Sequence, residues 1–504
     1  MSELIVIGGG ISGLVAGICA RKAGFSVTVL EKHAVAGGNL TGWNRQGYHI
    51  DNCIHWLTGT NRSTDLHRLW KEIGMIGEEG TVSHETLFTC FYSGESFSLP
   101  RDLKTLGNAM LLRSPQDARE IRLLLKAIDA VQGMSGVSGE KHDRKHSLWR
   151  TARTLPLLAR YRAMTTGELA ARFKDPLLNR FLSSFLTDSF GALGLLAVFA
   201  HFCGGNADLP KGGSFRAAER VAEKFRSLGG VLRTSAEVVD VEKENGRVKA
   251  VVLKNGERIP CDQLLISVDP AVAFPRLLHE KMPDGLACRY RNKRLLRFSS
   301  VQAAFSCAVD DLPFSGEAVL PLFSPLSEYL VGSALLVREF SHERSFAPPG
   351  RTVVQTMVFC SETEAKGWIA LQKNPARYAE EKDKTIRRVL GEIGKVFPSL
   401  VGKLQLLDCW TPATYRRFVG SDIGSYMSFA FSSRILPSRL SPRIPRLKNA
   451  FLCGQWLQAP GGLPIAARTG VVAAERAARA DKKTFSLPFR AHFARMSPGK
   501  DELK

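Results

Sequence analysis

The apolar positions at the start of the chain change their spacing twice within 30 residues. Leu4-Ile5-Val6-Ile7 is continuously apolar and rich in β-branched residues, as a strand buried on both faces should be. Gly8-x-Gly10-x-x-Gly13 then opens a small-residue helix through about Lys22, with Gly17 one turn further along its face. Gly24 ends that helix, and Ser26 to Leu30 predicts a second strand closing on Glu31. A secretory signal would need a positive region ahead of the apolar run, where this chain has Met-Ser-Glu. A membrane span would need about 20 apolar residues without the break at Gly8-Gly9-Gly10. Strand, glycine turn, helix, strand and acid in this order make a dinucleotide-binding βαβ unit. Gly8 permits the tight turn, Gly10 lets backbone approach a pyrophosphate, and Gly13 lets helix pack on strand. Ser12 lies at the helix N-terminus, whose free N–H groups favour phosphate. Glu31, with Lys32 beside it, follows Gly13 by 18 residues and is placed to accept hydrogen bonds from a ribose diol.

Two later segments carry compatible patterns. Residues 210–269 predict a helix from Phe215 to Leu228, then strand and hairpin runs divided by the turn dipeptides Asn245-Gly246 and Asn255-Gly256. Residues 449–479 predict a strand from Ala450 to Cys453 and a turn at Gly454. A loop ending Pro460-Gly461-Gly462-Leu463-Pro464 and a helix from Ile465 to about Ala480 follow. Taken alone, that last piece also reads as a surface helix behind a Pro-Gly loop. Between roughly 80 and 205 the pattern predicts amphipathic helices. Their apolar stretch, Phe190 to Phe202, is too short to span a membrane. It reads as the wall of an apolar tunnel, a dip into a bilayer, or a buried core helix. Residues 290–440 mix strands such as Val353 to Phe359 with helices such as Tyr378 to Phe397.

Composition adds bounds. At 504 residues, 44% hydrophobic and 23% charged, the chain has room for two to four globular domains. Ten scattered cysteines without a CxxC argue against a disulfide scaffold or a zinc site, so no metal is expected and a reducing compartment fits. The formal charge of +21 is densest at 140–153, 289–297 and 438–448. No nucleic-acid-binding signature accompanies it, so nucleic acid is not expected as a partner. An anionic membrane surface and a solvated basic surface stay open. Residues 477–504 mix Phe485, Leu487, Phe489 and Phe493 with Lys and Arg, the composition of an interfacial anchor or of a partly docked terminus. The expected location is cytoplasmic, with peripheral contact on the cytoplasmic face of a membrane as an option.

Gly37-Gly38, six and seven residues after Glu31, resembles the flavoprotein pattern in which a glycine pair approaches the FAD pyrophosphate. The N-terminal GGGISG…LEKHAVAGGN, the central PKGGSFRAAERVAEKFRSLGG and the C-terminal LCGQWLQAPGGLPIAARTG together resemble the phytoene desaturase and retinol saturase group of FAD-dependent oxidoreductases. The resemblance covers most of the chain. It implies FAD as cofactor and an α/β fold: a Rossmann-type FAD-binding domain of the glutathione-reductase/amine-oxidase-like kind, interleaved with a mixed α+β substrate domain. The implied FAD segments are 1–80, 206–289 and 441–482, the substrate segments 81–205 and 290–440, and 483–504 is a basic tail. Val238 falls where similar flavoproteins offer backbone to the adenine, and Gly454, Gly462, Pro464 and Ile465 where the last helix meets the flavin.

Three departures stand out. Asn39 replaces the arginine that many relatives carry after the glycine pair. Asp51-Asn52-Cys53-Ile54-His55 stands where relatives often read D-x-G-P-T, so His55 falls at a flavin-proximal position and is the candidate proton-transfer residue. Thr469-Gly470, preceded by Arg468, replaces the family's S-G. Tyr415, Arg416 and Tyr426 are candidates to face the substrate, with a structural role as the alternative.

The implied activity adds or removes hydrogen across C–C bonds of an apolar isoprenoid or polyene by hydride transfer with the flavin. The electron partner is a quinone, oxygen or NAD(P)H. The alternatives are an amine-oxidase-like flavoenzyme and a non-catalytic prenyl- or lipid-binding protein of the GTPase dissociation-inhibitor type.

Overall fold

The computed structural model describes residues 1–134, 155–434 and 440–486. The basic stretch at 140–153, residues 438 and 439, and the tail beyond Ser486 lie outside the described residues.

The opening βαβ unit forms as the pattern predicts: a strand at Glu3–Ile7, a helix at Ile11–Lys22 and a strand at Ser26–Leu30. Two further parallel strands, Gln263–Ile266 and Ala450–Leu452, and the short Val231–Arg233 complete a five-stranded sheet in the order 231–233, 26–30, 3–7, 263–266, 450–452. Leu4, Val6, Leu264 and Leu265 are fully buried, which is why these short strands read as unbroken apolar runs. The Asn245-Gly246 pair makes the expected hairpin, both residues in the left-handed region, and turns Val238–Glu244 into Arg247–Leu253 within a three-stranded antiparallel sheet.

Helix crossings are set by glycines. A Cβ on Gly470 of the helix Leu463–Ala480 would strike the carbonyl oxygen of Ser12, so this helix lies directly on Ile11–Lys22. A Cβ on Gly17 would stand 2.8 Å from the ring of Phe225, on the helix Gly213–Ser227. Phe485 is buried in the same core, so the described start of the tail docks on this unit.

The rest of the chain builds around an eight-stranded sheet. Its centre is Leu295–Ala308 and Arg351–Ser361, and its far edge is Thr86–Tyr92 and Glu95–Pro100. That last hairpin corrects the all-helical expectation for residues 80–205. Ser93 and Gly94 both take positive φ, and the Thr/Phe/Tyr-rich arm before them packs as a strand rather than a helix. Helices cover its inner face, with Phe88 stacked on Phe185 at 4.3 Å and on Phe181 at 5.1 Å.

The apolar run after Phe190 is the helix Ala192–Cys203. It is both core helix and tunnel wall: Leu195, Leu196, Phe199 and Phe202 are buried, while Gly194, Ala197, Val198 and His201 share a second face on an open cavity. No helix among the described residues is long and apolar enough to cross a membrane. The basic stretch at 289–297 is only partly surface. The Arg297 side chain is buried and ion-paired to Glu362 and Asp422, and Arg289 is buried as well, leaving Arg291, Lys293 and Arg294 exposed.

Candidate functional site

One cavity of about 860 Å³ runs from the glycine turn of the first strand to the helix Ala192–Cys203. At its glycine-lined end, Gly8 takes φ of +101°, and Gly10 caps the first helix in extended conformation with no side chain occupying the free amides. Gly37 donates its N–H to the Gly9 carbonyl at 2.9 Å, and a Cβ on Gly38 would come within 3.2 Å of the Gly10 Cα. The two glycine turns therefore form one cradle. A second helix start, at Gly462 with Pro464 in its first turn, opens on the same cavity without a side-chain cap. This helix begins two residues earlier than the sequence pattern implies, because Gly462 at φ of +114° supplies the turn.

Gly8, Gly10, Ser12, Glu31, Lys32, Gly37, Gly38, Asn39, His55, Val238, Gly454, Gly462, Pro464 and Ile465 all line this cavity. Gly13 does not. It sits one turn into the helix, where a Cβ would collide with the Gly8 carbonyl, so it shapes the cradle from behind. Glu31 is buried and accepts the N–H of Gly9 at 2.8 Å and of His33 at 2.9 Å. Lys32 donates to the Arg417 carbonyl at 3.2 Å, near the C-terminus of the helix Pro412–Val419, and burial lowers its pKa from the usual lysine value.

Asn39 joins two parts of the site. Its amide nitrogen donates to the carbonyls of Ser425 at 3.2 Å and Tyr426 at 3.0 Å, tying the glycine loop to the substrate region. Its Oδ1 and the Ser425 hydroxyl are buried in the cavity wall with no hydrogen-bond partner among the described residues. Two uncapped helix starts, a two-turn glycine cradle and orphaned polar atoms fit a dinucleotide with its pyrophosphate and polar ring edge.

The segment carrying His55 is fixed by Asp51. The carboxylate of Asp51 accepts the backbone N–H and, at 2.6 Å, the hydroxyl of Ser214, at the start of the helix Gly213–Ser227. The Ser214 hydroxyl in turn accepts the N–H of Ile54 at 2.9 Å. The PKGGS motif and the Asp51–His55 motif are thus two halves of one joint. His55 lies at its end, with Nδ1 3.1 and 3.0 Å from the two carboxylate oxygens of Glu317. Glu317 is 4% exposed and lies in the strand Glu317–Pro321; nothing in its sequence context singled it out.

The aromatic candidates separate. Tyr426 lines the cavity and donates to the Cys53 carbonyl at 2.7 Å. Tyr415 is a structural residue away from the wall, its hydroxyl donating to Asn52 at 2.9 Å and accepting from Gln302 at 2.8 Å; Arg416 does not reach the wall either. Cys53 also lines the cavity, and burial pushes its thiol up to about 12, leaving it protonated. Sequence reasoning missed Asp269. It is buried against the cavity, accepts the Tyr290 hydroxyl, and is raised to about 6 chiefly by burial.

Beyond His55 the wall turns apolar: Trp56, Phe185, Phe190, Phe298, Met357 and Phe359. The carboxylates in the wall, Glu31, Glu237 and Asp269, belong to the glycine-lined end.

Residues 11–478 match the family model described as flavin containing amine oxidoreductase. The chain belongs to that family. Its cofactor is FAD, and its fold is the α/β FAD-binding fold of these oxidoreductases. Among curated relatives, the chloroplastic prolycopene isomerase of Daucus carota is 24% identical over 84% of this chain and 71% of its own. The phytoene dehydrogenase of Streptomyces griseus is 25% identical over 94% of this chain and 95% of its own. Among solved structures, an oxidoreductase from Methanosarcina mazei superposes with a TM-score of 0.61 at 16% identity, covering 94% of this chain and 99% of the other. The resemblance to the phytoene desaturase group, drawn from three motifs, thus extends over most of the chain.

Proposed function

We propose that this flavoenzyme adds or removes hydrogen across C–C bonds of an apolar isoprenoid or polyene. The observation that carries the reading is the continuity of the cavity: a cradle for a dinucleotide opens directly into a chamber walled by aromatic and aliphatic side chains. The names of the two curated relatives support the same substrate class. FAD, when bound, supplies two-electron hydride chemistry. Gly8, Gly10, Gly37 and Gly38 would hold its pyrophosphate with the helix start at Ser12, Glu31 its ribose, Val238 its adenine, and the helix start at Gly462–Ile465 its ring edge.

The chain's own residues exclude water and place a proton. Phe190, Phe298, Phe359 and Met357 keep the chamber dry and leave a long apolar ligand little but shape to align with. The Glu317 carboxylate accepts from Nδ1–H of His55, which leaves Nε2 as the atom that exchanges a proton with a substrate carbon. An amine substrate is disfavoured, because the described chamber wall beyond His55 offers no carboxylate for a cation.

The test is anaerobic turnover of the yellow, FAD-loaded protein with isoprenoids, retinoids and amines, followed by product mass and isomer analysis. Bleaching of the oxidised flavin by an isoprenoid that loses two hydrogens, or re-oxidation of the dithionite-reduced flavin by one that gains two, supports the reading; bleaching by amines alone overturns it. Adding NAD(P)H or a quinone to this assay, or admitting oxygen in a parallel one, identifies the electron partner. Pelleting with anionic vesicles tests peripheral membrane contact.

A further inference from the structure

The chamber holds a second histidine, and its protonation is dictated by a hydrogen-bond network outside the cavity. His201 sits on the cavity face of the helix Ala192–Cys203, one turn beyond Ala197 and Val198. Its Nδ1 lies 3.1 Å from the side-chain nitrogen of Asn206, a residue 2% exposed. The orientation of that amide follows from its other end. The Asn206 Oδ1 accepts the backbone N–H of Gly59 at 3.1 Å and of Asn61 at 2.9 Å, so the nitrogen must face His201 as donor. Nδ1 is then an acceptor, and the ring proton resides on Nε2. An imidazolium would set Nδ1–H against the Asn206 NH₂, donor against donor. Burial acts in the same direction, holding the His201 pKa down to about 4.

Nε2–H has no protein acceptor among the described hydrogen bonds, although the ring lines the cavity. On the cavity face of this helix its neighbours Gly194, Ala197 and Val198 are apolar, so the donor is the one polar side-chain group this helix face presents. A neutral, fixed, unpartnered donor in such a chamber selects for an acceptor on the ligand.

We propose that His201 is a specificity-determining residue whose Nε2–H binds a hydroxyl or carbonyl oxygen carried by an otherwise hydrocarbon isoprenoid. This rests on the isoprenoid reading above and narrows it to oxygen-bearing members of that class. Asn206 is the positioning residue that fixes the tautomer.

The test uses the full-length, FAD-loaded protein and two probes, geranylgeraniol and the C20 hydrocarbon lacking its hydroxyl, each delivered from cyclodextrin. Dissociation constants are read from the change in flavin absorbance. The alcohol is expected to bind at least about 10-fold more tightly than the hydrocarbon, the discrimination of one buried hydrogen bond. His201→Phe, with flavin content unchanged, should erase that preference by weakening the alcohol alone. His201→Gln, whose amide N–H extends toward the place of Nε2, should keep most of it. Equal binding of both probes by the wild type overturns the inference and leaves the isoprenoid reading standing, as does a preference that survives in His201→Phe. Binding of neither probe overturns both.

Discussion

At one end of the cavity the wall is main chain, with Gly8, Gly10, Gly37 and Gly38 and two uncapped helix starts; at the other it is side chain, from Trp56 and Phe185 to Met357 and Phe359. The difference decides which changes each end tolerates. A backbone cradle has no rotamers to adjust, so an added methyl group must move a whole turn. A side-chain wall can change its shape one residue at a time, and it sets which ligand fits without touching how the cofactor is held.

The sharpest way to break that comparison is Gly13→Ala. The new Cβ meets the Gly8 carbonyl and pushes on the cradle from behind. Overpacking of this kind costs roughly 1–3 kcal/mol, so FAD affinity should fall about 10- to 100-fold in a fluorescence titration. Gly194→Phe is the counterpart at the other end. A Cβ there meets nothing within 4 Å, and Gly194 lines the chamber. FAD content should stay at the wild-type level while isoprenoid binding falls below detection, about 100-fold or more by the volume lost. Loss of FAD in that variant would show that the two ends are not separable.

Next in size is Glu317→Gln, which keeps the shape at His55 and removes the charge that orders it. Turnover should drop about 10- to 100-fold with the flavin spectrum unchanged, the scale of lost acid–base assistance. A smaller effect is expected from pH. His201 is held near 4, below the ordinary histidine value of 6.5, so the unfolded chain binds the extra proton first as pH falls. Its contribution to stability is complete above about pH 6.5 and is lost progressively toward pH 4. The melting temperature of wild type minus His201→Phe should therefore fall with acid across that window. Asp269, raised to about 6, drives the opposite trend in both proteins and cancels in the difference. Smallest of all, Gly194→Ala should raise stability by about 0.5–1 kcal/mol, since the helix gains a better former and the cavity loses only a methyl's volume.

The two ends also differ in how much of them is legible in the amino-acid order. Gly8-x-Gly10-x-x-Gly13 and Glu31 are readable because backbone geometry demands glycine at fixed spacing, and no tertiary partner is needed to see it. Gly37-Gly38, Gly454, Gly462 and Pro464 are readable only through the resemblance to flavoproteins. Asp51 was visible only as part of a departing motif, since its partner Ser214 lies 163 positions away. Glu317, Asn206 and Asp269 were not legible at all. Each is an ordinary polar residue whose role comes from what the fold brings against it, and no local pattern marks that. His201 left one trace: it interrupts an apolar helical run, which periodicity counts as an imperfection. The 86–100 hairpin was missed for a related reason, as a strand rich in Thr and Phe gains its identity from the sheet it joins.

Gly470 resting on the Ser12 carbonyl has a temporal consequence. The helix that bears on the first glycine turn is separated from it by more than 450 positions, and the strand before it is the last to join the five-stranded sheet. While the ribosome is still translating the middle of the message, the cradle lacks its second helix start and one sheet edge stays open. Cofactor capture therefore follows synthesis of residues 450–480 rather than accompanying it. Flavin supply acts on a chain already synthesised through about residue 480, and a polypeptide truncated before Ala450 lacks the second helix start of the cradle and part of the cavity wall.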